Sequence, residues 1–268
     1  MESAPRPVQS LHPQGPFESE EAEVRQGKLP RHVGIIMDGN GRWAERRGKP
    51  RIEGHREGSR SVREVSRTAR RLGLGALTLY AFSAQNWGRP AEEVGALMAL
   101  LREYLESERE EIMDNGIRLN AIGDLDKLPR YVRNPLESLR AESAGNKGMV
   151  LTLALSYGGR EELLRAASLL AVRIAQGELQ PGTVSEADFE AALWTHGLPP
   201  LDLVIRTSGE QRISNFLLWQ AAYAELMFVD TFWPEFRREA LLDCLVRFQG
   251  RERRFGLTAA QLPKAAQS

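Results

Sequence analysis

Apolar residues follow two rhythms along this chain: short unbroken runs, and longer stretches spaced by three and four. The runs at 33–37, 76–82, 117–122, 149–155, 201–205 and 224–229 read as six strands, most of them buried on both faces. Between them the spacing changes. Val62, Val65, Ala69 and Leu72 predict a helix over 54–72, closed by the glycines at 73 and 75. Val94, Leu97, Met98, Leu101, Tyr104 and Leu105 predict one long helix over 92–115, ended by Gly116. Further helices are expected over 125–144, with a break at Pro135, over 161–176 and over 234–248, and a short helix with turns in 181–200. The basic stretch 44–53, interrupted by Pro50, reads as a loop. Strands alternating with helices predict an α/β fold: a single domain with a mostly parallel six-stranded sheet and helices on both faces. Residues 1–30 have several prolines, an acidic run over 18–23 and little periodicity, which predicts a disordered arm before a folded unit at 31–256 and a tail at 257–268.

Charge sharpens this picture. The 268 residues carry no formal net charge, which argues against a general nucleic-acid binder. Yet 31–71 holds twelve Lys/Arg against five Asp/Glu, a local excess that suits an anionic ligand. One cysteine, Cys244, lies in an apolar helical pattern and reads as core. With no apolar signal core and no run long enough to span a bilayer, the expectation is a soluble cytoplasmic protein.

Three predicted strands end in polar residues of one character. The first runs into Asp38, Gly39, Asn40, Gly41 and Arg42, the second into Ser83, Asn86 and Arg89, and the fifth into Arg206, Ser208, Gly209, Arg212 and Ser214. In a parallel sheet these ends share one edge, where open sheets bind ligands. Forked cations, hydroxyls and glycine backbone together suit a diphosphate. Asp38 can help hold such an anion only through a metal, which points to Mg²⁺. A single arginine of this kind is most often a solvated surface group; three clusters at equivalent strand ends favour a site. The G-x-G-x-x-A spelling at 39–44 invites a dinucleotide-binding reading. Against it stand the loop expected after 44 and the lack of a carboxylate at the end of the second strand. No Walker A sequence occurs.

The blocks H-V-G-I-I-M-D-G-N-G-R-W, G-K-P-R-I-E-G-H, L-T-L-Y-A-F-S-A-Q-N-W-G-R-P, D-L-V-I-R-T-S-G-E-Q-R-I-S-N-F-L-L-W-Q and Y-A-E-L stand in that order between residues 32 and 256. Together they resemble the cis-prenyltransferases, nearest to the bacterial undecaprenyl diphosphate synthases. The resemblance implies a catalytic domain over 31–256 that joins isopentenyl diphosphate to farnesyl diphosphate, with Mg²⁺ as cofactor. It implies Asp38 as the essential aspartate and Glu225 as a second acidic residue tied to the metal. Gly39, Asn40, Gly41, Arg42, Arg51 and His55 would hold the allylic diphosphate; Arg206, Arg212, Ile213 and Ser214 would hold isopentenyl diphosphate. Asn86 would stand near the departing proton, with Ser83, Ala84, Gln85 and Arg89 beside it, and Trp43, Trp87 and Phe82 would shape the pocket. An amide is a poor base, so the proton role of Asn86 is the weakest physically. Gln211 stands where some members have histidine and cannot titrate. Ala81, Met98, Leu101 and Met149 are candidates to line a product channel. The resemblance also implies a homodimer, with 157–160 and 251–256 as interface elements, and contact with a membrane surface on product release. The rival readings are a synthase of a different product length and a non-catalytic partner subunit. Such a subunit would lack Asp38 and its loop. A trans-type synthase would need Asp-Asp motifs, and no Asp-Asp pair occurs.

Overall fold

The first apolar run becomes the central strand. The computed structural model describes residues 16–251. In it β1 (His32–Ile36) lies between β2 (Ala76–Ser83) and β5 (Leu203–Arg206). With β3 (Arg118–Ile122), β4 (Val150–Tyr157) and β6 (Glu225–Phe228) the order is β3-β4-β2-β1-β5-β6, every pair parallel. The helices are α1 (Pro16–Gln26), α2 (Asn40–Glu45), α3 (Arg51–Leu72), α4 (Ala91–Ser107), α5 (Arg109–Asp114), α6 (Arg130–Glu142), α7 (Gly159–Ala175), α8 (Glu186–Ala192) and α9 (Arg238–Gln249). Alternate strand residues divide the core. Val33, Ile35, Leu77 and Leu153 face the cluster built with α3, α4, α6 and α9. Ile36, Ala154 and Val204 face Tyr157 and Phe216 on the other side. The single α/β domain with helices on both faces is as expected, and Cys244 is fully buried.

Four local expectations differ. Helix begins at once after Gly39, because Gly39 takes φ 99° and turns the chain into α2. Pro50 caps α3 from outside rather than breaking it, so α3 starts at Arg51. The long helix expected over 92–115 is two, α4 and α5, separated at Glu108 (φ −94°, ψ 2°), a buried carboxylate bonded to Arg63 of α3. Pro135 sits inside α6 without ending it.

The arm expected to be disordered contains α1 in its described part; residues 1–15 lie outside the described residues. Within the acidic run Glu21 is buried, accepting from Arg71 of α3 and from Arg238 of α9. Val24 beside it joins the main core. A buried carboxylate held by two cations ties the first and last helices to α3. Glu21→Ala is expected to destabilise the fold by about 2 kcal/mol, because Arg238 keeps Glu20 and Glu239 but loses its buried partner. Urea titration of the variant against the parent reads it.

Candidate active site

Parallel pairing brings the carboxyl ends of β1, β2, β4 and β5 to one rim, and the chain leaves β1 for β2 on one side while β5 closes the other. A crevice forms where the strand order reverses in this way. Asp38 stands there. Its Oδ2 accepts from Arg206 Nη2 at 2.9 Å; its Oδ1 accepts from the Gly39 amide at 2.6 Å and lies 3.2 Å from Arg42. Thr207 Oγ1 accepts from the Asp38 amide at 2.9 Å and donates to the Asp38 carbonyl at 2.7 Å, which fixes the loop. Arg42 donates to Ser208 at 2.6 Å and to Glu210 at 3.3 Å, and Arg212 reaches the other oxygen of Glu210 at 2.5 Å. Arg206 is 4 % exposed; its Nη1 donates to the Arg212 carbonyl and to Ser214 Oγ, so it braces the rim more than it faces solvent. Arg51 pairs with Glu45, and its guanidinium lies 2.5 Å from where a Cβ on Gly41 would stand, so a side chain there would push Arg51 aside.

Beside this rim a cavity of about 170 Å³ descends between α3 and α4 over Ala81 and Leu153. Its polar lining is Asn40, His55, Asn86 and Arg89; its apolar wall includes Val62, Leu97, Leu101 and Tyr104. Leu97 to Tyr104 spans about 10 Å of helix. Asn86 both lines the cavity and accepts from the Ser83 amide at 2.9 Å, closing the turn after β2. Larger hollows of about 570 and 620 Å³ beside Arg118 and Tyr223 do not include the rim residues.

Several expected residues are elsewhere. Ala81 and Leu101 line the cavity, whereas Met98 and Met149 pack in the core. Trp43 is in a separate cluster with Ala44 and Phe232, under the Arg47 guanidinium, and Trp87 and Phe82 pack edge to face, Trp87 donating to Ser156. None of the three lines the cavity. Ser83, Ala84, Gln85 and Ile213 lie on the loops of the rim, and Gln211 is exposed. Tyr157, expected at an interface, is fully buried; residues 252–256 lie outside the described residues. Glu225 does not join Asp38 in this chain. It opens β6 opposite Leu203, at the amino ends of the strands, and pairs with Arg251 at 2.5 Å. Parallel strands put the first and last residues of a strand on opposite edges, so within one chain Glu225 and Asp38 stand at opposite edges of the sheet. Thr207 and Glu210 were not singled out; the polar run after β5 was the signal that contained them.

Residues 36–256 match the model of the undecaprenyl diphosphate synthase family, Prenyltransf. The chain belongs to this family. It is 53% identical over 235 residues to an isoprenyl transferase of Geobacter sulfurreducens, covering 88% of this chain and 96% of that one. It is 46% identical over 239 residues to a Vibrio cholerae ditrans,polycis-undecaprenyl-diphosphate synthase described as (2E,6E)-farnesyl-diphosphate specific, covering 89% and 96%. A lavandulyl diphosphate synthase from Lavandula x intermedia, solved with dimethylallyl diphosphate, superposes with a TM-score of 0.84 at 39% identity, covering 87% and 99%. The protein is a prenyltransferase.

Electrostatics at the rim of this prenyltransferase are set by the arginines. Burial pushes the Asp38 carboxyl up, but the Arg206 hydrogen bond and the charges of Arg42 and Arg206 outweigh it and hold it below the usual range. Asp38 is therefore an anion at neutral pH. Among the described residues no set of three His, Cys, Asp or Glu is grouped to cage a metal. Mg²⁺ is commonly held by one or two carboxylates, with substrate phosphates completing its shell. Asp38, with its side chain 29% exposed, fits that part.

Two histidines are held neutral. Burial brings His55 down to about 4, with Arg89 adding to the effect. His32 also falls to about 4 through burial; its Nδ1–H donates to the Pro199 carbonyl, so Nε2 accepts from Thr78. An unfolded chain takes up these protons near pH 6.5 while the folded one does not until about 4. Stability is therefore expected to fall as pH drops through that window, and His55→Asn should flatten the dependence, as read by urea midpoints across it.

Proposed function

We propose that this prenyltransferase condenses isopentenyl diphosphate with farnesyl diphosphate and builds a long polyprenyl diphosphate, undecaprenyl diphosphate, the lipid carrier precursor for cell-wall polysaccharide. One observation carries the reading. Arg42 of α2 and Arg212 of the segment after β5 converge on a single carboxylate, Glu210, on the rim from which an apolar cavity descends. An anion site joined to a greasy cavity matches a molecule with a diphosphate head and a hydrocarbon tail.

When the allylic C–O bond breaks, both electrons stay on the diphosphate. Arg42, the amides of 40–42 and Arg51 would stabilise that charge. Bound at Asp38, Mg²⁺ would neutralise more of it. The isopentenyl double bond forms the new C–C bond and a proton is lost. Arg212 and Ser214 hold the isopentenyl diphosphate, and Asn86 orients the reacting end beside His55, which is neutral and free of repulsion toward the arginines. Specificity for farnesyl diphosphate is supported by the Vibrio cholerae relative, which is described as farnesyl-diphosphate specific. The non-catalytic subunit reading is disfavoured because Asp38 and its loop are present and engaged with arginine. A cytoplasmic homodimer touching a membrane on product release belongs to the same proposal; the exposed Leu164 and Val172 of α7, with Tyr223, offer apolar surface for such contacts. Among the described residues no helix is long and apolar enough to cross a membrane.

Incubation with farnesyl and isopentenyl diphosphates and Mg²⁺, then chromatography of the lipids, is expected to show stepwise five-carbon growth to a long product. No incorporation overturns the reading. Asp38→Ala is expected to lower kcat by about 10² to 10³ while circular dichroism keeps its helical signal. Turnover at the parent rate removes Asp38 from the chemistry.

A further inference from the structure

Four non-glycine residues between 208 and 217 take left-handed backbone: Ser208 (φ 75°), Ser214 (φ 45°), Asn215 (φ 64°) and Leu217 (φ 45°). Such conformations persist only where the surroundings over-determine them. Asn215 is the point of attachment. Its carbonyl accepts from the Gly159 amide at 2.7 Å, its Oδ1 from the Arg160 amide at 2.8 Å, and its Nδ2 donates to Glu161 Oε2 at 2.9 Å. One residue is thus fastened to three consecutive residues at the start of α7. Glu161 accepts through Oε1 from Gln85 Nε2, on the loop after β2, at 3.2 Å. Gly158 leaves room for the pair, since a Cβ there would lie 2.1 Å from Glu161 and 2.6 Å from Asn215.

The neighbours of Asn215 are the groups of the rim. Ser214, one residue earlier, receives Arg206 at 2.6 Å, and Arg206 holds Asp38. The loop that carries Arg212 and Ser214 is therefore anchored at its far end by Asn215 and Glu161, and through Gln85 to the loop that carries Asn86.

We propose that Asn215 and Glu161 form a positioning pair for isopentenyl diphosphate: they fix the left-handed turn at 214–215 so that Arg212 and Ser214 meet the diphosphate in register with Asp38. Neither residue touches substrate. The inference rests on Arg212 and Ser214 being the isopentenyl diphosphate side of the proposed reaction. A bond that preorganises a loop acts on affinity for what the loop binds, and leaves the opposite substrate largely alone.

The donor–acceptor pattern gives the test. Asn215→Asp tolerates the left-handed backbone and keeps an acceptor for the Arg160 amide, but sets a carboxylate against Glu161. Glu161→Gln keeps an acceptor for Gln85 but turns an amide donor toward the Asn215 amide. The double variant restores one donor facing one acceptor. Each single variant is expected to raise KM for isopentenyl diphosphate about tenfold, which is the loss of roughly 1.4 kcal/mol of binding. KM for farnesyl diphosphate should change less than about twofold, and the double variant should recover most of the loss. Because each substitution is isosteric and can be made alone, Glu161→Gln carries the test where Asn215→Asp melts early. Unchanged KM in both singles, equal losses for both substrates, or no recovery in the double variant overturns the inference. Calorimetric titration of isopentenyl diphosphate, and separately of inorganic diphosphate, separates the two readings. If the parent protein binds inorganic diphosphate but not isopentenyl diphosphate, the substrate reading fails and the pair is judged by the same pattern in the inorganic diphosphate Kd. If it binds neither, both fall.

Discussion

A guanidinium as enclosed as that of Arg206 has to meet an anion, and the anion it meets is Asp38. That contact joins residues 168 positions apart and lies where the two central strands end side by side. It sets the protonation of Asp38, orients Arg206 toward Ser214 and, with Thr207, determines the course of the loop that follows β1. Removing Asp38 would leave an enclosed guanidinium without its counter-charge, whereas removing Arg206 would leave Asp38 its contacts with Arg42 and the Gly39 amide. The course of the rim loop and the stability of the sheet edge therefore draw on the same pair of side chains.

The other arginines of the basic segment serve a different end. Arg63, Arg67 and Arg71 recur every four residues along α3, and their partners are Glu108, Glu111 and Glu21. This ladder attaches α4–α5 on one side and α1 on the other to the helix whose first turns carry Arg51 and His55. The local excess of positive charge is thus divided between a group at the rim around Arg42 and Arg51 and a set of ties between helices. Arg237 and Arg238 at the start of α9 repeat the second use, with Glu57 and Glu21.

How much was legible follows from which signals are local. Strand runs, the polar residues that end them and the gathering of Asp38, Arg42 and Arg206 on one rim could be read because parallel topology maps sequence position directly to an edge. The same rule, applied to β6, puts Glu225 at the opposite edge from Asp38 within one chain, while its link to the metal comes from the resemblance alone. Pro50 was read as a breaker although proline is compatible with a position just before a helix. The acidic run reads as part of a disordered arm because burial of Glu21 depends on Arg71 and Arg238, distant in sequence. The split at Glu108 was hidden for the same reason: apolar spacing continues across it, and the cause is a tertiary ion pair with Arg63. Asn215 and Glu161 were invisible as a pair, since nothing in a linear pattern says that two loops will exchange hydrogen bonds.

The central position of β1 has a cost in time. One side of this strand is covered by β2, about forty residues on, but the other waits for β5. On a translating ribosome that interval is on the order of ten seconds or more. During it a short strand, apolar after His32, has an unpaired edge, and Asp38 has Arg42 but not yet Arg206. The newborn chain is thus most open to wrong pairing at the strand on which its chemistry will later depend, and the last third of synthesis closes that gap.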